Sequence, residues 1–435
     1  MKKERSLSEL YQDPERADWT LWGRRTDRVT RRGFLNGAGL TAMTLALGAH
    51  IPYFRQFPAG VVPTALAQGS GNILLEGKDL SVLNERPLGA EARAHALDDA
   101  VTPTRYHYVR NNGNLSAMAE SRDSRGYRLV IDGEVERRLE LSLDDLKRNF
   151  STRTWNLQLE CGGNGRAGFA PSPSGMQWTV GAVACAQWTG VSLGDVLQSA
   201  GIRSTAVYTA HHSDDIHLSG NPELETISRG ISLSKALNPY SLLVWEMNGE
   251  ALPPIHGFPV RLVIPGWPGS ASAKWLTRIT LRDRVHDGRG MTGYSYRINR
   301  TPVRPGTDVP EADMEIIESM PVKSLITRPA SGIQVPLGQA MTVRGHAWAG
   351  DLEVKRVDVT YDFGQTWHEA RLEPPINPYA WQRWQAELRL PTRGYYEIWA
   401  RATDTEDRSQ PAVVPGWNPR GYLNNSFHRV GVEVL

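Results

Sequence analysis

The residues best equipped for chemistry lie in one run, Glu160-Cys161-Gly162-Gly163-Asn164-Gly165-Arg166. Trp155-Asn156-Leu157-Gln158-Leu159 precedes it and alternates like a strand. That strand delivers Cys161 to a glycine-rich turn, where backbone can approach a bulky ligand closely. Arg166 follows within reach of an anion held beside the sulfur. One thiol, a permissive backbone and a fixed cation point to a metal-centred anion site rather than a core position. The other cysteine, Cys185, sits in Val183-Ala184-Cys185-Ala186 and reads as a small buried hydrophobe. A disulfide between the two is the alternative in an exported chain. His211-His212-Ser213-Asp214-Asp215 invites a zinc reading, but adjacent histidines leave a tetrahedral ligand set incomplete.

Several elements must position this turn. Tyr127 to Ile131 reads as a strand, with Asp132-Gly133-Glu134 as the turn after it. Ser142 caps a short helix from Leu143 to Phe150, with Asp144 and Asp145 favourably placed in its first turn. Val191 to Leu197 has helical spacing and ends near Gly201. Val207 to Ala210, Ser241 to Met247 and Val260 to Ile264 are strands, the last two closed by Asn248-Gly249 and Pro265-Gly266. Residues 68–104 read as an extended or loop-rich lead-in. The mixture lacks a regular strand–helix alternation, so the class is α+β. Beyond the proline-rich linker Thr301 to Gly306, the pattern becomes strand, turn, strand. Met341 to His346, a hairpin from Val354 to Leu372 turning at Asp362-Phe363-Gly364-Gln365, Trp384 to Leu390, Tyr395 to Thr403 and Val430 to Leu435 make an immunoglobulin-like sandwich.

Charge is unevenly placed. Residues 1–67 hold ten Lys or Arg against six Asp or Glu, and the remainder holds 39 against 41. The body has no polybasic tract, so nucleic acid is excluded as an expected partner. The basic excess belongs to a leader. Thr30-Arg31-Arg32-Gly33-Phe34-Leu35 is a twin-arginine signature, an apolar stretch runs from Leu40 to Ala49, and Ala65-Leu66-Ala67 offers a cleavage site. The apolar run is shorter than the roughly 20 residues that span a bilayer. The expectation is export to the periplasm with cleavage after Ala67, and no membrane span in the mature chain. The expected domains are a twin-arginine signal peptide (1–67), a cofactor-binding catalytic domain (68–310) and an all-β domain (311–435).

The chain resembles bacterial members of the sulfite oxidase family of molybdenum enzymes. The resemblance is carried by Tyr108-Val109-Arg110-Asn111, Glu160-Cys161-x-x-Asn164-x-Arg166, Gly175-Met176-Gln177-Trp178 and Glu246-Met247-Asn248-Gly249. His256-Gly257-Phe258-Pro259-Val260-Arg261, Pro265-Gly266-Trp267-x-Gly269 with Lys274-Trp275-Leu276, and Trp417-Asn418-Pro419-Arg420-Gly421 complete it in the family's order. Two positions depart from the pattern: Asn112 stands where many relatives have His, and Gly165 precedes a single Arg166 where many have adjacent arginines.

The resemblance implies an α+β fold in which a sulfite oxidase-type molybdopterin domain precedes an all-β immunoglobulin-like dimerisation domain. It implies a molybdenum–molybdopterin cofactor with Cys161 as the protein's metal ligand, a role that suits a soft thiolate. Arg110, Arg166 and Arg420 would converge on a substrate oxyanion, because guanidinium stays charged and forks two hydrogen bonds. Trp178 would wall the pocket. Tyr296, with Tyr294 as its rival, would hydrogen-bond at the open face of the metal. Tyr108, Val109, Arg110, Asn111, Asn112, Asp214, His256, Arg261, Ser272, Ala273 and Lys274 would hold the pterin, with Arg261 and Lys274 facing its phosphate.

The implied reaction is oxidation of sulfite to sulfate. No Cys-x-x-Cys-His run exists, and nothing resembles the haem domain of animal relatives, so the chain is expected to carry no haem. Electrons would leave to a separate c-type cytochrome, with the protein a homodimer or a complex with a cytochrome subunit. The rivals are the molybdenum subunit of a thiosulfate-oxidising complex (a sulfane dehydrogenase), a nitrate or sulfoxide reductase, and a non-catalytic exported binding module.

Overall fold

The computed structural model describes Leu75, residues 77–221 and residues 223–435. The expected leader, with Arg31, Arg32 and the Ala67 cleavage point, lies outside the described residues.

Two five-stranded sheets build the first part of the chain. In one, Thr152–Glu160 pairs antiparallel with Val183–Ser192, which pairs with Leu242–Met247; Glu250–Ala251 and Arg261–Val263 complete it. In the other, Leu276–Arg282 lies between Leu129–Gly133, to which it is parallel, and Tyr208–Ser213, with Leu139–Leu141 and Arg229–Ser232 at the edges. Short helices fill the connections, each started by a serine. Ser142 forms a capping box with Asp145, and the hydroxyls of Ser192 and Ser232 accept from the amides of Asp195 and Lys235. Tyr127, Leu129, Ile131, Leu146, Val196, Leu243, Leu262 and Ile279 belong to the core these elements share.

Several boundaries differ from the sequence reading, four of them with a clear structural cause. The strand expected at Tyr127 to Ile131 is Leu129–Gly133 and absorbs the first two turn residues, because Leu276–Arg282 supplies a partner as far as Gly133. The helix expected from Val191 begins at Leu193, since Val183–Ser192 is a ten-residue strand that carries Val191. That strand is buried almost throughout, so no alternation marks it. The segment at 68–104 contains a hairpin, Ser81–Glu85 with Leu88–Glu91, which extends to Val109–Arg110 as a third strand. The fourth is in the expected hairpin after Gln365, which forms two short strands, His368–Glu369 and Arg371–Leu372, that pair into different sheets.

The second part is a sandwich. Lys323–Arg328, Ala340–Trp348, Gln382–Arg389 and Arg371–Leu372 form one sheet. Ile333–Val335, His428–Val434, Gly394–Asp404, Val354–Thr360 and His368–Glu369 form the other. Val343, Val357, Val359, Trp384, Ile398, Ala400 and Val432 fill the space between them. The fold is α+β with an all-β second part. Cys185 is fully buried in a cluster with Val183, Leu325, Trp348 and Trp381, side chains drawn from both parts. Among the described residues no helix is long and apolar enough to cross a membrane.

Candidate active site

Thr152–Glu160 ends at the turn that presents Cys161. The turn is held from three directions. Cys161 N donates to Ala182 O at 2.9 Å, and Asn164 N closes back on Cys161 O at 2.8 Å. Leu423 N donates to Gly162 O at 3.1 Å, and Asn424 Nδ2 to Gly165 O at 2.7 Å. Beneath the turn, the Glu160 carboxylate accepts from Asn164 Nδ2 at 2.9 Å, Lys323 Nζ at 2.7 Å and Trp348 Nε1 at 2.7 Å. Two of these donors belong to the sandwich, so the second part of the chain fixes the thiol's position. Gly165 takes φ +92°, a left-handed conformation that would strain any side chain.

Cys161 opens on a cavity of about 780 Å³, open solvent at its mouth included. Its floor and walls bring together residues far apart in sequence, among them Tyr108, Arg110, Asn112, His256, Arg261, Ser272, Ala273, Lys274 and Tyr296. These are nine of the residues singled out from sequence. The cysteines are unpaired. Burial pushes the Cys161 thiol up, while Arg166, the Gly163 amide and Arg110 pull it down; burial alone takes Cys185 up to about 12. Cys161, unlike Cys185, therefore has cationic neighbours that favour thiolate.

Two clusters line the cavity. Cys161 shares the cavity with Arg110, whose charge acts on the thiol, and with Tyr296, against which Arg229 packs. Tyr296 stacks on Tyr422 with centroids 5.3 Å apart, and Tyr422 in turn faces the Arg166 guanidinium at 5.3 Å. The second cluster is cationic. Arg261 lies 5.1 Å over the Trp188 ring and donates to the carbonyls of Leu262, His256 and Ser272. Lys274 Nζ donates to Asn111 Oδ1 and to Ile255 O. Behind this wall, outside the cavity lining, Lys78 Nζ contacts His256 Nε2 and donates to Thr104 O at 2.5 Å. Burial lowers Lys78 to about 7 and Arg261 to about 10, and holds His107 and His256 well below the usual imidazole range, so both histidines are neutral.

Several sequence-chosen residues do something other than expected. Arg166 is buried and does not line the cavity; its Nε donates to Arg420 O at 2.5 Å and its Nη1 to Met176 O at 2.7 Å. A Cβ on Gly163 would stand 2.3 Å from Arg166 Nη2, so the glycine admits the guanidinium. Arg420 contributes that carbonyl, while its own Nη1 donates to Ser174 Oγ at 2.9 Å, away from the cavity. Trp178 is fully buried and packs edge-on against Tyr108 at 6.3 Å, so it backs the wall instead of forming it. Val109 is core, packed with Leu88 and Ile255. Asp214 is exposed and its amide donates to Trp275 O; alternation along the backbone turns Asp215 to the cavity instead. Burial raises Asp215 to about 6, opposed by Lys274. Asn111 supports Lys274 from beside the cavity. Tyr296 faces the cavity, whereas the Tyr294 hydroxyl accepts from Val309 N at 3.2 Å.

Sequence reasoning missed Lys78, His107, Asp215, Arg229 and Tyr422. Each is an ordinary-looking residue whose place depends on tertiary packing. Asp215 alone carried a signal, as the inward partner of the alternating pair it makes with Asp214.

Comparison with known proteins agrees with this geometry. The family described as Oxidoreductase molybdopterin binding domain matches residues 116–289, and the Mo-co oxidoreductase dimerisation domain matches residues 314–435. Sulfite oxidase of Gallus gallus is 35% identical over 361 residues, covering 80% of this chain and 77% of the relative. Mitochondrial sulfite oxidase of Rattus norvegicus is 34% identical over 376 residues, covering 82% of this chain and 66% of the relative. Among solved structures, the sulfane dehydrogenase SoxCD from Paracoccus pantotrophus superposes with a TM-score of 0.67 at 25% identity, covering 89% of this chain and 96% of that chain.

The cavity fits a molybdopterin. Arg110 Nη1 and two nitrogens of Arg229 are buried with no hydrogen-bond partner. Such atoms need a ligand rich in acceptors, and the surplus of cations calls for an anionic one. Arg261 and Lys274 would hold the phosphate end, Tyr108 and Ser272 the ring system, and Cys161 the metal.

Proposed function

The chain belongs to the sulfite oxidase family of molybdopterin oxidoreductases, and from that premise we propose that it oxidises sulfite to sulfate. The observation that carries the reading is a single thiol, Cys161, sharing a cavity with guanidiniums that have unpaired donors, Arg110 and Arg229. The bound cofactor would supply two-electron redox chemistry at a metal held by Cys161. The protein's own residues do the rest. The cations concentrate a small oxyanion and orient it, and they act in a site partly screened from water, where each charge–charge contact is stronger than in bulk. Tyr296 faces the same space with a hydroxyl able to take or pass a proton. The overall conversion takes one oxygen from water and releases two protons and two electrons, so an acceptor is required. We propose a separate c-type cytochrome, reached by single-electron steps.

A second reading is oxidation of a sulfane sulfur, favoured by the likeness to SoxCD across 96% of that chain. The partnerless guanidinium donors of Arg110 and Arg229, in the same cavity as Cys161, suit a small free anion and support the first reading over it. Steady-state reduction of cytochrome c by the cofactor-loaded protein distinguishes them. Turnover with free sulfite supports the proposal; turnover only with a carrier-bound sulfane sulfur replaces it with the second.

We also propose export by the twin-arginine route to the periplasm and association through the second domain, as a homodimer or with a cytochrome subunit. The signature at Arg31-Arg32 and the match to a dimerisation family support these. Cell fractionation with an Arg31→Lys/Arg32→Lys variant tests the first, and sedimentation tests the second.

A further inference from the structure

The cavity contains two kinds of buried guanidinium. Arg261 has a carbonyl acceptor for each of Nε, Nη1 and Nη2, so none of its nitrogens is without a partner. Arg229 is not satisfied. It opens the edge strand Arg229–Ser232, is 2% exposed and lines the same cavity as Cys161 and Arg110. Its Nη1 donates to Gly290 O at 2.9 Å and contacts Met291 Sδ at 3.0 Å. Its Nε and Nη2 have no partner. Among the described residues it makes no salt bridge, and the largest charge influences on it come from Tyr296, Tyr208, Tyr422 and Arg297. The neighbouring Arg297, by contrast, is neutralised by Glu311 at 3.2 Å.

The Tyr296 ring occupies one face of Arg229, 4.6 Å from its carbon centre. A face so covered leaves the in-plane N–H groups as the only strong donors, and the unpaired Nε and Nη2 are in that plane. Burying a cation without a counterion is unfavourable, and each unmet donor adds its own desolvation cost. A residue at the sheet edge that served packing alone would be apolar. The missing partner is an anion, and the shared cavity is where it would come from.

We propose that Arg229 is a substrate-binding residue of this site: with Arg110 it grips a small oxyanion beside Cys161, using Nε and Nη2, while Tyr296 holds its guanidinium in place. This rests on the reading of the cavity as an oxyanion site. It assigns the edge strand a specificity role that the Arg110–Arg166–Arg420 set does not include, and Arg166 and Arg420 are not among the residues that line the cavity.

The experiment compares Arg229→Met and Arg229→Lys with the unsubstituted, cofactor-loaded protein. Molybdenum content and melting temperature are recorded for each. KM and kcat for sulfite and the dissociation constant of sulfate, by calorimetric titration, are then measured. Losing a charge-assisted bond pair should raise KM and the sulfate dissociation constant by about tenfold or more, with kcat changed much less, and Lys should recover part of both. KM and sulfate affinity within about twofold in a fully loaded Met variant overturn the proposal. If the Met variant fails to fold or load, the Lys variant decides: unchanged sulfate affinity overturns, and weakened affinity supports. If the unsubstituted protein turns over no sulfite, the functional reading fails by itself. Sulfate titration then tests Arg229 alone: binding that Arg229→Met weakens supports it, and no binding by the unsubstituted protein overturns it.

Discussion

Removing Lys323 should loosen the catalytic turn from a distance. Glu160 is 1% exposed, immediately precedes Cys161, and meets Lys323 Nζ at 2.7 Å. A Lys323→Met change keeps the stem's packing but leaves the carboxylate charge with two neutral donors, Asn164 Nδ2 and Trp348 Nε1. Breaking a buried pair from one side costs about 3–5 kcal/mol. The two remaining donors place this case near the low end, at about 3 kcal/mol. Glu160→Gln in the same protein restores neutrality, so the double variant should recover about 2 kcal/mol of that loss. The assay is calorimetric melting of the cofactor-loaded protein, read as a double-mutant cycle with molybdenum content alongside. The single variant should melt several degrees lower and load less metal, and the double variant should return most of both. A single variant within about 1 kcal/mol of the parent, or a double variant that loses the sum of the two singles, would refute the assignment of this pair as the anchor of the turn.

Arg110→Gln removes a cavity cation with an unpaired Nη1, so KM for the substrate anion should rise at least tenfold; an unchanged KM by steady-state kinetics removes it from the site. Cys185→Ala should leave kcat and KM intact and lower stability by about 1 kcal/mol, because it only trims a buried contact with Trp381 and Leu325; an inactive but folded variant would contradict this. Lys78 gives a pH signature. Burial depresses its folded-state pKa from 10.5 to about 7, so its contribution to stability is fully present above 10.5 and lost as pH falls to about 7. Cofactor-free protein should therefore melt higher as pH rises across that window, and Lys78→Met should flatten the slope. An equal slope in the variant would mean another group titrates there.

The sequence was most legible where local chemistry and position coincide. The glycines after Cys161 marked a turn because they admit Arg166 and Asn424 against the backbone, and a clash-free backbone is visible in composition. Ser142 with Asp145 marked a helix start because both halves of the capping box lie within four residues. Reading failed where a partner from elsewhere decides. Val191 looks helical beside Leu193 and Val196, yet Thr152 and Leu243 claim it for a strand. Asp214 and Asp215 are chemically identical, and only the direction of the backbone separates the exposed one from the one in the cavity. Arg420 was chosen for its guanidinium but contributes its carbonyl. Arg229 has no local mark at all; what distinguishes it is the burial imposed by Tyr296 and Met291, which arrive some sixty residues later along the chain.

The most direct test of the central claim is X-ray absorption at the molybdenum edge, comparing the loaded protein with Cys161→Ala. The account predicts bound molybdenum whose sulfur shell loses one scatterer in the variant, with sulfite turnover abolished. Absence of molybdenum from correctly matured protein, or a sulfur shell identical in the two samples, would contradict it.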